Sequence, residues 1–266
     1  MNPSPSVKGI LFDLDGVLYV GSRVIEGAIE AVAHIRASGI ACRFVTNTST
    51  LSLASLQNKI NVLGFSITKE EIVSAPQAAR LYLKRQPDPV CRFLMADNVK
   101  QDFTDFRQSD TEANYIVVGD IGTTWSYTLL NEVFHCLMNG AQLIAIHKNR
   151  FWQTETGLQM DIGGFIEALE YASGSKAMVI GKPATDFFRI ALDDMGLQPA
   201  EAAIVGDDID ADVGGGQQAG LRGILVKTGK YRQSYAEASR IKPDLVIDSI
   251  RDLPSALTGL STTAPV

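Results

Sequence analysis

Cysteine is scarce. Cys42, Cys91 and Cys136 are scattered through 266 residues with no C-x-x-C pair. That excludes a disulfide framework and a cysteine-rich zinc site, and it points to a reducing compartment. Basic charge is also short, with 24 Lys and Arg against 30 Asp and Glu and a formal net charge of −6. A broad nucleic-acid footprint needs a basic face, so no nucleic-acid partner is expected. No apolar run reaches the ~18 residues of a membrane span, and the opening MNPSPSVKG has no apolar leader core. Internal repeats and low-complexity tracts are missing too. A cytoplasmic protein that binds neither membrane nor nucleic acid is expected.

What is present is ordinary for a globular chain, at 45% hydrophobic and 20% charged. Short apolar runs alternate with helix-patterned segments. Val7–Phe12, Cys42–Val45, Met178–Ile180, Ala203–Val205, Ile224–Val226 and Leu245–Ile247 read as buried strands. Glu26–Ala37, Leu53–Leu63, Thr185–Met195 and Ala211–Ala219 read as helices between them. Thr68 and Glu71 form a capping-box pattern, which predicts a helix starting there. Such alternation argues for βαβ units and a doubly wound, mostly parallel α/β sheet. The middle carries its own set, with strands at Phe93–Met95, Tyr115–Val118 and Leu143–Ile146 and helices near Ser126–Met138 and Phe165–Tyr171. Residues 77–176 are therefore expected to form an inserted α/β module, with 1–76 and 177–266 forming the core.

Ligands bind beyond the carboxyl ends of parallel strands, and polar groups collect there. FDLDGVL places Asp13 and Asp15 after the first strand, and Thr46-Asn47 follows the second. Gly181-Lys182-Pro183 follows Met178–Ile180, and GDDIDAD brings Asp207, Asp208 and Asp212 after Ala203–Val205. Acids in such numbers repel one another without a cation, and an all-oxygen set suits Mg²⁺. Lysine with a Thr-Asn pair supplies charge and donors for phosphate oxygens. One carboxylate can attack phosphorus, and another can protonate the leaving oxygen. Taken singly, D-x-D, GDD and Lys-Pro are commonest as turns and helix flanks; their joint order after successive strands carries the argument.

In combination these motifs resemble the haloacid dehalogenase superfamily of aspartyl phosphatases. DLDGVL (Asp13–Leu18), FVTN with Thr46, Lys182 in GKP, and Gly206–Asp212 match its four motifs. A module between the second and third is similar to its C2-capped, class IIA branch. The resemblance implies a Rossmann-like core with an inserted C2 cap and a small phosphorylated substrate. It makes Asp13 the nucleophile and Asp15 the general acid/base. It assigns Mg²⁺ to Asp13, the Asp15 carbonyl and Asp207, with Asp208 and Asp212 one layer out. Thr46, Asn47 and Lys182 would hold the phosphoryl group. Lys182 would also count among the catalytic residues, because it screens Asp13 from that group. A homodimer through the cap is expected. A phosphotransferase and a non-catalytic phosphate-receiving protein are the rival readings. His147, with Lys148 and Arg150, could face a substrate or a solvated turn; His34 and His135 read as packing or surface residues. Asp161–Phe165 (DIGGF) is a substrate loop or a tight turn, and Gly214–Gly216 lets a helix approach the sheet.

Overall fold

Gly9–Asp13 (GILFD) is buried along its whole length. A strand covered on both faces must be apolar throughout rather than alternating, and Ile10, Leu11 and Phe12 meet that demand. It pairs in parallel with Ala41–Thr46 on one side and Ala202–Gly206 on the other, with Phe12 opposite Val205 and Asp13 opposite Val45. Phe12 and Phe44 stack at 5.6 Å between ring centroids.

These strands belong to a six-stranded sheet, in the order Leu245–Ile247, Arg222–Val226, Ala202–Gly206, Gly9–Asp13, Ala41–Thr46, Ile72–Ser74. Counted in chain order from the Ile72 edge, that is 3-2-1-4-5-6, a doubly wound sheet. Its direction of winding reverses between Gly9–Asp13 and Ala202–Gly206. A second sheet of five strands runs Met178–Val179, Gln142–Ala145, Tyr115–Val118, Val90–Leu94, Arg107–Gln108. Its order is 2-1-3-4-5, with the reversal between Val90–Leu94 and Tyr115–Val118.

The computed structural model describes residues 7–154 and 157–260. They form two compact units that part at Thr46–Asn47, Lys59–Ile60, Val73–Ser74 and Lys182–Pro183. The sequence placed the divisions after 76 and 176. The difference lies in long-range pairing that no local pattern encodes. Met178–Val179, expected as a core strand, instead pairs with Ile144 and Ala145 of the second sheet. The Thr68–Glu71 pattern also differs from expectation. Glu71 Oε2 does accept from Thr68 N at 2.9 Å, but the segment is a turn leading into Ile72–Ser74. The helix starts later, at Ala75–Lys84, capped by Ser74 accepting from Gln77 N. Glu71 is drawn off by Arg36, whose Nη2 lies 2.5 Å from its Oε1.

Other elements fall where apolar periodicity put them, including Thr185–Met195 and the Ser126-capped helix Tyr127–Met138. A Cβ on Gly216 would strike Ile204, so the close helix–sheet approach expected there is present. His34 and His135 are exposed helix residues. Trp125 stacks on Phe165 at 4.2 Å, both half-buried, with Trp125 packed against the second unit's core. No helix of the described residues is long and apolar enough to cross a membrane.

One buried charge anchors the second unit. Glu170 accepts from Lys176 Nζ at 2.7 Å, Ala177 N at 3.0 Å and Lys148 Nζ at 3.1 Å. Burial would raise its pKa, but Lys176, the Ala177 amide and Lys148 outweigh that and hold it below 4.5. A depressed folded value means stability is present above the unfolded pKa and lost as pH falls through the folded one. Glu170→Gln is therefore expected to cost roughly 1.5–3 kcal/mol at pH 7. It should also flatten the acid limb of a denaturation series below pH 4.5. An unchanged acid limb would show that the ion pairs contribute nothing net.

Candidate active site

The winding reversal of the six-stranded sheet leaves a crevice beyond its two central strands, and Asp13 and Asp207 stand at their ends. Asp13 is the last residue of its strand, and Asp207 directly follows Gly206. Asp212 joins them from the turn that follows. The three buried carboxylates each offer one oxygen, all within 4.8 Å of one another. Asp207 Oδ1 is buried without a hydrogen-bond partner. The Asp207 pKa is pushed up, first by burial and then by the charge on Asp13, against the opposing pull of Lys230. An all-oxygen donor set this crowded fits a hard metal cation.

Local sequence builds this arrangement. After Asp13 the chain turns sharply, with Leu18 N donating to Leu14 O at 2.9 Å and Gly16 N to Tyr19 O at 2.7 Å. The turn keeps Asp13 buried and lifts the Asp15 side chain into exposure. Gly16 holds φ at 88°, and a Cβ there would collide with the Asp207 carboxylate. Any side chain would therefore displace a member of the acidic trio. Thr228 Oγ1 donates to Gly16 O at 2.5 Å and braces the turn from the neighbouring loop. The Tyr19 phenol beneath is held well above its usual pKa by burial, then by Asp15 and Asp13.

Asp208 and Asp212 have different tasks. Asp208 Oδ1 accepts from Asp210 N and Ala211 N, both at 3.0 Å, and so caps the helical turn that follows. That turn is widened, with Val213 N reaching back five residues to Asp208 O at 3.2 Å; such π-type turns recur at functional sites. It places Asp212 with Asp13 and Asp207, while its Oδ2 accepts from Asp208 N at 3.2 Å. Asp212 thus stands within 4.8 Å of the other two carboxylates.

Lys230 was not singled out from sequence. Its backbone N donates to Asp207 Oδ2 at 2.6 Å, and its ammonium lies 3.6 Å from Asp208 Oδ2. Burial alone would lower its pKa, yet Asp207, Asp208, Asp13 and Asp212 raise it above the usual value. The available signal was its place just beyond the strand Arg222–Val226, on the same carboxyl rim.

Thr46 ends its strand, buried, in the first unit. Asn47 and Lys182 lie in the second and are brought together there. Asn47 Nδ2 donates to Lys182 O at 2.9 Å, and Lys182 N donates to Asn47 Oδ1 at 2.9 Å. The side-chain amide thus imitates a strand partner. Gly181 makes room for it, since a Cβ there would meet the Asn47 amide, Ile146 O and Ala75. Lys148 is turned toward Glu167 and Glu170. DIGGF is a turn into the helix Gly163–Ser173, with Asp161 Oδ1 accepting from Ile162 N at 2.7 Å.

A doubly wound sheet takes ligands at its reversal point, and crowded acids there suit metal-assisted work on phosphate groups. Two family models match: haloacid dehalogenase-like hydrolase over residues 10–107 and HAD-hydrolase-like over residues 179–253. The haloacid dehalogenase-like hydrolase domain-containing protein 2 of Bos taurus is 42% identical over 245 residues, covering 92% of this chain and 93% of that protein. The phospholysine phosphohistidine inorganic pyrophosphate phosphatase of Homo sapiens is 38% identical over 253 residues, 92% of each. The solved p-nitrophenyl phosphatase from Archaeoglobus fulgidus matches with a TM-score of 0.87 at 29% identity, covering 95% of this chain and 100% of that one. The chain belongs to the haloacid dehalogenase-like hydrolase family, as a hydrolase that acts on phosphate esters.

Proposed function

We propose that the protein is a Mg²⁺-dependent phosphatase that hydrolyses a small phosphorylated metabolite through a phosphoaspartate on Asp13. The observation that carries this reading is the buried Asp13–Asp207–Asp212 trio at the winding reversal, with Asp15 exposed two residues along. The relatives' names, a phospholysine phosphohistidine inorganic pyrophosphate phosphatase and a p-nitrophenyl phosphatase, support phosphomonoesters, pyrophosphate or phosphoramides as substrates.

In this mechanism Asp13 Oδ attacks phosphorus, and the bond to the leaving oxygen or nitrogen breaks. Asp15 passes its proton to that atom. Water then attacks the phosphoaspartate, giving its proton to Asp15, and the acyl phosphate bond breaks to release phosphate and free Asp13. Mg²⁺, held by Asp13, the Asp15 carbonyl and Asp207 with Asp212 beside them, would neutralise the acids and the phosphoryl oxygens. Thr46 and Lys182 hold the phosphoryl group, with Asn47 keeping Lys182 in place. Lys230 balances Asp207 and Asp208.

Cys42, Cys91 and Cys136 are buried free thiols, and burial first of all pushes Cys42 and Cys91 up to about 11. A reducing compartment such as the cytoplasm belongs to this reading, supported by the scarcity and scatter of cysteine in the sequence. A homodimer through the inserted module belongs to the same reading, supported by exposed Tyr127, Met138 and Tyr171 on two packed helices.

Calorimetric melting tests the metal. Mg²⁺ at ~100 times its Kd is expected to add about 2.7 kcal/mol of stability, raising Tm by roughly 5–10 °C. EDTA should reverse the gain. Asp207→Asn relieves the crowding of buried acids, so in EDTA it should melt above wild type and gain nothing from Mg²⁺. A wild-type Mg²⁺ response in that variant would remove Asp207 from the ligand set. Phosphate release from p-nitrophenyl phosphate and pyrophosphate, with Mg²⁺ and with EDTA, tests the activity. Release that ignores EDTA would sink the metal-dependent reading.

A further inference from the structure

In the second unit, the winding reversal between Val90–Leu94 and Tyr115–Val118 leaves a crevice of the kind that takes ligands in doubly wound sheets. Here it takes a residue of the chain itself. Ser49, 3% exposed, accepts from Asp120 N at 3.0 Å through Oγ. A Cβ on Gly119 would lie 3.2 Å from the Ser49 Cβ.

His147 reaches the same serine from the neighbouring strand end. It is 4% exposed and places Nε2 3.5 Å from Ser49 Oγ. Its other nitrogen, Nδ1, accepts from Asn149 N at 3.4 Å, with Asp161 Oδ2 at 3.9 Å. The hydroxyl and the ring are paired through Nε2, with the donor set by the ring tautomer. Ser49 is thereby held from two sides, by the Asp120 amide and by the His147 ring.

Two residues earlier, the Asn47 amide holds the Lys182 backbone at 2.9 Å on each side. On the facing side, Gly181 N donates at 2.8 Å to Ile146 O, the residue before His147. Asn47 with Lys182 and Ser49 with His147 are therefore adjacent rungs along one rim. The first fixes the lysine, and the second fixes the segment that carries Asn47.

We propose that His147 is a positioning residue for phosphate binding, acting through Ser49 to hold the 47–49 segment and, through Asn47, Lys182. The inference rests on the phosphatase reading for the role of Lys182. A group that grips the phosphoryl oxygens alike in ground and transition states affects KM and leaves kcat nearly unchanged.

The experiment compares wild type with His147→Phe, His147→Gln, Ser49→Ala and the Ser49→Ala/His147→Phe pair. It measures kcat and KM for p-nitrophenyl phosphate with Mg²⁺, the calorimetric Kd of inorganic phosphate, and Tm. Phe fills the ring's space without a hydrogen-bonding group, whereas Gln restores one. Ser49→Ala removes only the hydroxyl, so the test stands even where Phe is not tolerated. His147→Phe and Ser49→Ala are each expected to raise KM and the phosphate Kd about 3–10-fold, with kcat within about twofold. His147→Gln should stay within about twofold of wild type, and the double variant should be no worse than Ser49→Ala. An active wild type with unaffected variants overturns the inference alone. So do equal losses in the Phe and Gln variants, or losses that multiply in the pair. A wild type that neither turns over substrate nor binds phosphate sinks the phosphatase reading, and the inference with it.

Discussion

Asp13→Asn is expected to abolish phosphate release, with a fall on the order of 10⁴-fold or more and no acid-stable phosphoenzyme. An amide has almost the shape of a carboxylate but no nucleophilic oxygen anion. The fold should survive, because Asp13 ends a strand whose hold comes from Ile10, Leu11 and Phe12 between two parallel neighbours. Removing one of three buried, mutually repelling acids should even raise Tm in EDTA. The measurement is phosphate release from p-nitrophenyl phosphate and pyrophosphate, with acid-quench trapping of protein-bound phosphate. Turnover in Asp13→Asn at the wild-type rate would end the phosphoaspartate mechanism. Loss of turnover with trapped phosphate still on the variant would move the nucleophile elsewhere.

Asp15→Asn is expected to slow turnover by about 10²–10⁴-fold while leaving Mg²⁺ binding in place. Its side chain is exposed and stands outside the acidic trio, so the substitution removes a proton carrier rather than a carboxylate ligand. The size of the loss should depend on the leaving group. A nitrophenolate departs with little help, so Asp15→Asn should form phosphoenzyme readily from p-nitrophenyl phosphate and stall on its hydrolysis. An alkyl phosphate needs the proton at departure, so phosphoenzyme formation itself should slow. Rapid-quench kinetics on the two substrates separates these cases. Equal, wild-type rates of phosphoenzyme formation from both would take the acid role from Asp15.

The pattern of buried strands was legible because a parallel strand covered on both faces is apolar at every position, as in Gly9–Asp13 and Ala202–Gly206. The acids were legible because they follow those runs directly, so chain order already put Asp13 and Asp207 at strand ends. Lys230 was not, because its meaning comes from Asp207 and Asp208, which lie more than twenty residues away in the chain. The Thr68–Glu71 pattern misled for a related reason. The carboxylate makes its local bond, but its partnership with Arg36 and the strand position of Ile72–Ser74 are long-range matters.

By itself the sequence determined the α/β alternation and the set of groups able to handle phosphate, placed just after buried strands. Those depend on neighbours in the chain, through apolar periodicity and the residues that follow each strand. Only the tertiary structure decided that Met178–Val179 joins the second sheet, and that Asn47 clamps Lys182 across 135 positions. It likewise decided that Asp212 enters the acidic trio through a widened turn. Each of these is a contact between segments that local preferences leave undetermined. The order in which strands pair settles them, and with it the residues that meet where the winding reverses.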